Sequence, residues 1–241
     1  METAVDESKL IFFTGAPGSK WSATAHLLAL SGLYNINTSD YNDDRIYTHP
    51  GPQISHLGAY WGPGFGVGEN FDQISQLTKK EIYQEIEKPY ADKNWKQHRI
   101  IKCHQFALNL DWIKENFPSS KIIIVLRPDS TCKEQWLFAG GFEGIKYPNY
   151  KGYYVNEQIL EEKIAVENAM SRKFIAENDL ELHTITRAFL SKYWHLESVP
   201  EDNLNITPKE ELERYIISIL RAKGPVAPIW QLDTTIAMYN F

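Results

Sequence analysis

The sequence predicts an α/β fold, a central parallel β-sheet flanked by helices in three layers, and three observations carry that expectation. Short apolar runs without alternation recur at Ile11-Phe12-Phe13, at the start of 99–104 and at Lys121–Leu126 (KIIIVL), as parallel strands covered on both faces require. Each run is followed by a helix-compatible stretch, and strands alternating with helices imply a parallel sheet with helices on both sides. Each strand also ends in polar or glycine-rich residues, and such sheets bind ligands at the carboxyl ends of their strands.

In chain order, the first strand breaks at Thr14-Gly15 into a loop with two glycines, a proline, two hydroxyls and Lys20. A helix follows over 23–30, with Gly32 as its cap. Periodicity is then lost over 34–71, and a span this long is a binding segment or hides an unrecognised element. The insertion 34–76 reads as a substrate or lid segment. Glycines between 58 and 68 let backbone approach a ligand, and Tyr60, Trp61 and Phe65 offer flat apolar surfaces. The other reading is a packed loop that pins those aromatics in the core.

Thr78 to Lys88 reads as a helix with a capping box from Thr78 to Glu81, ended by Pro89. After the strand within 99–104, an amphipathic helix turns Leu108, Leu110, Trp112, Ile113 and Phe117 toward the core and stops at Pro118. Arg127 ends the KIIIVL strand. Then come a helix over 130–139 closed by Gly140-Gly141, a tyrosine-rich loop over 140–156, and a long helix over 156–177. A short strand over 180–186, helices over 187–195 and 208–223, and a tail with Gly224, Trp230 and Tyr239 complete the chain. There is no internal repeat, and 1–241 reads as one domain with insertions.

A hydrophobic content of 43% with 23% charged residues describes a chain able to bury a core. The net charge of −6 offers no basic footprint for nucleic acid or an anionic membrane. The acidic start METAVDESKL lacks the plan of a signal peptide, and no apolar run approaches the ~20 residues of a membrane span, so a soluble cytoplasmic protein is expected. Cys103 and Cys132 lack metal-site spacing and fit a reducing compartment; no metal site is expected.

The carboxyl-edge rule gathers three stretches: the loop 14–22, Lys102 with His104, and Arg127. A glycine loop leading into a helix presents backbone N–H groups and the positive end of the helix dipole to an anion. As a Walker A, G-x-x-x-x-G-K-[ST], the loop is defective. Gly15 stands five residues before Lys20, and Trp21 takes the place of the magnesium-binding hydroxyl. On its own the stretch also reads as a turn with a solvated lysine. Two lysines and an arginine around one helix N-terminus suit a phosphorylated nucleotide, and a histidine on the same edge suits removal of a hydroxyl proton. The set describes transfer of an anionic group to a hydroxyl. Phosphoryl transfer from ATP would also need a strand-ending aspartate, for which Asp129 is the nearest substitute.

Three blocks, TGAPGSKWS, IIKCHQF and KIIIVLRPDSTCKEQW, resemble in the same order the donor loop, the lysine-x-histidine block and the strand-arginine-helix block of the cytosolic-type sulfotransferases. That P-loop-related family takes a sulfuryl group from 3′-phosphoadenosine-5′-phosphosulfate (PAPS) and releases adenosine 3′,5′-bisphosphate (PAP). The glycine-aromatic loop and the tyrosine segment look like those of its bacterial and viral members. The resemblance implies a P-loop-like fold, no metal, and a small-molecule or carbohydrate hydroxyl as acceptor. It makes His104 the general base, Lys102 a stabiliser of developing charge, and Lys20 the stabiliser of the leaving group. Gly15, Pro17, Gly18, Ser19, Lys20, Trp21 and Ser22 would surround the 5′-phosphosulfate, and Arg127 would hold the 3′-phosphate. Positioning and electrostatics would then dominate catalysis.

Two departures from the family's pattern stand out. A basic residue is usual where this chain has Gly18, and here the charge comes two positions later, at Lys20. The family's phosphate-binding serine, eight positions after the arginine, is Gln135, with Ser130 and Lys133 as neighbouring candidates. Arg221-Ala222-Lys223-Gly224 resembles a further phosphate stretch of the family or an ordinary cationic helix end. His49, Tyr60, Trp61 and Phe65 are the candidate acceptor contacts. The alternatives are a P-loop nucleotide-dependent kinase and a non-catalytic nucleotide-binding protein of the same fold.

Overall fold

The computed structural model describes residues 5–31, 33, 36–37, 46–47, 54–55, 61, 71–88, 90, 95–138, 141–144, 152–185, 187–195 and 234–241. The chain runs β1 (Leu10–Gly15), α1 (Trp21–Leu30), β2 (Ile36–Asn37), β3 (Ile46–Tyr47), β4 (Ile54–Ser55), α2 (Lys79–Glu87), β5 (His98–Lys102) and α3 (Leu110–Asn116). It continues through β6 (Lys121–Leu126), α4 (Asp129–Phe138), α5 (Gly141–Gly144), α6 (Glu157–Glu177), β7 (His183–Thr184), α7 (Arg187–Trp194) and β8 (Thr235–Tyr239).

All six residues of β1 are buried, which places it inside the sheet. The sheet has six strands in the order β2-β5-β1-β6-β8-β7. β1 pairs in parallel with β5 and β6, and β2 in parallel with β5. The sheet is mixed rather than wholly parallel, because β8 runs antiparallel to β6 from Leu126↔Thr235 to Ile122↔Tyr239, and β7 runs antiparallel to β8. Part of the segment expected as a C-terminal tail therefore enters the sheet between β6 and β7. Within this sheet β2 and β8 are the strands that periodicity does not reveal, β2 having only two residues and β8 only five; β3 and β4, which pair with each other, are also not expected. The strand expected over 180–186 shrinks to His183–Thr184.

Alternate side chains of β1 enter two separate cores. Ile11 and Phe13 pack with Trp21, Ala25 and Leu28 of α1 and with Leu160 and Ile164 of α6. Leu10 and Phe12 pack with Ile82 and Ile86 of α2, Leu110 and Ile113 of α3, and Phe174 of α6. Helices thus cover both faces in three layers. Every side chain of β1 has an apolar layer on its own side, which is why that strand is apolar over Leu10–Phe13.

Helix ends follow the local chemistry. Thr78 caps α2, its Oγ1 accepting from Glu81 N at 3.3 Å while Thr78 N donates to Glu81 Oε2 at 2.8 Å, the expected capping box. Asn156 caps α6 by accepting from Ile159 N at 3.0 Å. The amphipathic stretch after β5 divides into a 3₁₀ turn, His104–Leu108, and α3, so Leu108 leaves the expected stripe and is 38% exposed, while Trp112 is half-buried. Phe117 lies fully in the core as its spacing predicts. Gly141 opens α5 rather than closing the helix before it. Gly32, Pro89, Gly140, Tyr147, Tyr150, the helix expected over 208–223, Arg221 to Gly224 and Trp230 lie outside the described residues. Among the described residues no helix is long and apolar enough to cross a membrane.

Candidate functional site

β1, β5 and β6 end at one edge, and each delivers a piece of the site there. β1 ends at Gly15, whose register partner is Val125 of β6, and residues 16–20 turn into α1 with Ser19 N donating to Ala16 O at 3.0 Å. Gly18 has φ +80°, and a Cβ there would stand 2.0 Å from the Cys132 carbonyl oxygen. Glycine is therefore obligatory: the loop backbone lies directly on α4 in a conformation that other residues avoid. Lys20 is the N-cap residue of α1, also left-handed at φ 69°, and no side chain caps the helix there. The first amides of α1 and the positive end of its dipole consequently face this edge.

Two cations converge on the same turn. Arg127, 2% exposed, follows β6 and donates from Nη1 to Gly18 O at 3.4 Å. Burial pushes the Lys20 ammonium below its ordinary pKa, and the charge of Arg127 lowers it further. A like-charged pair beside a helix N-terminus without a side-chain cap is an arrangement that an anion relieves.

Lys102 ends β5 and His104 opens the 3₁₀ turn after it, both buried. The His104 Nδ1 bonds the Gly15 carbonyl, and Thr14 Oγ1 donates to His104 O at 2.9 Å, so two residues of β1 hold the histidine from both sides. A carbonyl only accepts, so Nδ1 carries the proton and Nε2 is left as the basic nitrogen. Burial depresses the His104 pKa to about 3, with Lys102 adding to the effect and the Gly15 bond opposing it. The ring is neutral across the physiological range. Trp21 ties the group together: its ring centroid is 4.0 Å from that of His104, and Lys102 Nζ stands 5.8 Å from the indole centroid.

A second set of polar groups reaches this edge from α6. Asn168 Nδ2 donates to Arg127 O at 3.1 Å and to Asp129 Oδ1 at 2.7 Å, clamping the turn that carries Arg127. Arg172 of α6 also meets Asp129. Asp129 is thus engaged in holding the turn. Among the described residues, Ser19 Oγ, Gln105 Nε2, both carboxyl oxygens of Glu167, Asn168 Oδ1 and Thr234 Oγ1 are buried without a hydrogen-bond partner. Ser19 follows β1, Gln105 follows β5, Asn168 bonds the residue after β6, and Thr234 precedes the β8 residue that pairs with Leu126. Orphaned buried polar atoms are rare, and those of Ser19, Gln105, Asn168 and Thr234 lie at one edge, where a polar ligand would answer them. Periodicity carried a signal here: Glu167, Asn168 and Ser171 occupy the buried stripe of α6 between Ile164 and Phe174, where an ordinary helix would be apolar.

The remaining expected residues fall out as follows. Pro17 lies in the loop, and Ser22 is in the first turn of α1. Gln135 sits half-buried on α4, next to Trp136, whose backbone nitrogen flanks the Gly18 position. Trp61 belongs to the core: it is fully buried, stacked on Phe71 with centroids 5.8 Å apart, and its backbone nitrogen donates to Lys102 O at 2.8 Å. For Trp61 this is the alternative in which the aromatic is pinned in the core. It removes Trp61 from the candidate acceptor contacts while giving it a place directly behind Lys102. His49, Tyr60 and Phe65 lie outside the described residues. Among the described residues no group of three or more His, Cys, Asp or Glu side chains is placed to hold a metal ion. No family model, no curated protein and no solved structure matches the chain.

Proposed function

We propose that the chain is a sulfotransferase of P-loop-like fold that moves a sulfuryl group from PAPS to a hydroxyl of a small molecule or sugar. The observation that carries this reading is the meeting of Lys20 and Arg127 at the N-terminus of α1, beside a neutral histidine held by the end of β1. The residues fit such a donor. Ser19 offers an unanswered hydroxyl, and Gly18 lets backbone stand where a side chain could not. Lys20 and the amides of α1 would hold the 5′-phosphosulfate, and Arg127 the 3′-phosphate.

The donor supplies the sulfuryl group; the chain supplies the field and the base. His104 Nε2 would take the proton of the acceptor hydroxyl, with Nδ1 kept on Gly15 O so that the ring cannot turn away. Its low pKa keeps it unprotonated and ready, and a bound polyanion would raise its basicity. Lys102 and Lys20 would stabilise the charge that develops on the transferring and departing oxygens.

Titration with PAP, ADP and ATP, each with and without magnesium, tests the reading. Tight, magnesium-independent binding of PAP is expected, and a preference for Mg-ATP would replace this reading with a nucleotide kinase. His104→Ala should abolish transfer while leaving PAP binding nearly intact, so undiminished turnover removes His104 from the mechanism. Affinity for PAP without transfer to any member of a broad hydroxyl panel identifies a non-catalytic nucleotide-binding protein.

A further inference from the structure

Arg127 has a neighbour across the sheet that the mechanism above leaves unused. β8 runs antiparallel to β6 with Val125↔Ile236 and Leu126↔Thr235 in register, and that register, continued by one residue, sets Thr234 opposite Arg127. The alternation of faces agrees. Val125 and Ile236 pack in the core that holds Trp21 and Cys132, and Leu126 packs in the other, so Arg127 and Thr234 return to the face of Trp21. Residues directly opposite in an antiparallel pair share one face, with Cβ atoms ~4.5–5.5 Å apart. Arg127 indeed reaches the α1 loop on that face, its Nη1 donating to Gly18 O at 3.4 Å.

Thr234 is 1% exposed, and its Oγ1 has no hydrogen-bond partner among the described residues. A valine would fill the same volume beside a strand without burying an unmet hydroxyl, which is costly wherever nothing answers it. The residues that follow Arg127 in the chain are turned to other uses. Ser130 is exposed, and Lys133 pairs with Glu161 at 2.8 Å. The hydroxyls buried at this edge without a partner are instead those of Ser19, in the loop that Arg127 touches, and of Thr234. The charge of the guanidinium selects what could answer them. A ligand cation would be repelled, whereas a phosphate has acceptor oxygens for a hydroxyl and a guanidinium together.

Resting on the sulfotransferase reading for the identity of the donor, we propose that Thr234 is a second ligand of the phosphate that Arg127 holds, its hydroxyl donating to an oxygen of the 3′-phosphate. β8 then does more than extend the sheet: it carries a hydroxyl to the edge where β1 and β6 end. Thr234 acts on donor binding by this assignment, and proton removal is left to His104.

Calorimetric titration of Thr234→Val with PAP and with adenosine 5′-phosphate tests the assignment. Kd for PAP should rise about tenfold, the loss of one hydrogen bond to a charged group, with Kd for adenosine 5′-phosphate changed less than about twofold. The melting temperature without nucleotide should not fall, because the methyl removes a hydroxyl that nothing in the chain answers. Thr234→Ser keeps the donor and should stay within about threefold of wild type for PAP. In an Arg127→Gln background the same valine should cost less than about threefold, since two contacts to one phosphate are coupled; a full tenfold further loss would mean that the two side chains do not share a ligand. A change for PAP below twofold, or equal losses for both nucleotides with a lowered melting temperature, overturns the proposal and leaves Thr234 a structural group. If Thr234→Val does not fold, Thr234→Ala makes the same comparison. Failure of the donor reading shows separately, as wild-type protein that does not bind PAP. Inorganic phosphate then decides the subsite alone: a rise in melting temperature with phosphate that is lost in Thr234→Val supports it, and an equal rise or none in wild type overturns it.

Discussion

Arg127→Gln is expected to weaken binding of PAP much more than binding of adenosine 5′-phosphate. The arginine is 2% exposed, its carbonyl is fixed by Asn168 Nδ2 at 3.1 Å, and its Nη1 reaches Gly18 O at 3.4 Å, a long bond that a phosphate would readily replace. Because the turn and the side chain are held before any ligand arrives, little ordering entropy is charged against the contact. A charge-assisted bond to a phosphate then contributes about 1.5–3 kcal/mol, or roughly 10–150-fold in Kd. Removing Arg127 also relieves Lys20, whose pKa its charge lowers, and the more readily charged lysine offsets part of the loss; the lower half of that range is expected. Calorimetric titration at constant ionic strength measures it, with melting temperature as the check on folding. Arg127→Lys keeps the charge without the planar fork and should fall between. If wild type binds the two nucleotides equally, or if Arg127→Gln shifts Kd for PAP less than twofold, Arg127 is not the 3′-phosphate ligand.

Gly18→Ala should destabilise the chain by about 2–5 kcal/mol, combining left-handed strain with the displacement of backbone that a Cβ 2.0 Å from Cys132 O demands; an unchanged urea midpoint would refute this. His104 gives a pH dependence. Its folded pKa of about 3 lies below the unfolded value near 6.5, so the stability it contributes is complete above pH 6.5 and is lost as pH falls toward 3. Between pH 7.5 and 5 the wild type should therefore lose about 2 kcal/mol more stability than His104→Gln, measured by urea unfolding at each pH, and parallel curves would contradict the buried neutral ring. Thr78→Ala removes the cap of α2, a helix that supplies none of the site residues. It should cost about 1 kcal/mol and leave transfer and PAP binding unchanged.

What the sequence made legible is what local physics dictates. KIIIVL is covered on both faces and has no other use for five consecutive apolar residues, so β6 was readable, as was the capping box of α2. The edge that gathers the loop, Lys102 with His104, and Arg127 followed from the parallel strands alone. β8 escaped because an antiparallel strand of five residues is stabilised by its partners β6 and β7 rather than by its own pattern, and Leu108 escaped because a 3₁₀ turn breaks the helical period. Trp61 shows why aromatics in an aperiodic stretch are ambiguous. Composition cannot tell a ring that faces a ligand from one stacked on Phe71. The contribution of α6 was missed for another reason: Glu167 and Asn168 belong to no short motif, and only their place within a buried stripe marks them.

The position of the loop's charge has a physical cause. A basic residue at 18 would need a Cβ where the Cys132 carbonyl lies, at a φ of +80° that side chains avoid, so no lysine can occupy that position while the loop rests on α4. Lys20 is the next place from which charge can enter. At φ 69° and ψ 15° it sits outside the helix as its N-cap, leaving the amides of α1 uncovered by any side-chain cap, and its burial beside Arg127 keeps its ammonium poised against a neighbouring charge. The same close approach brings the Gly18 carbonyl onto Arg127 Nη1. One contact between the loop and α4 thus excludes a cation at 18 and places the loop backbone beside the guanidinium. Charge at position 20 is the consequence of that packing, and a Lys20→Gly, Gly18→Lys exchange should fail to restore what Lys20→Gly alone removes.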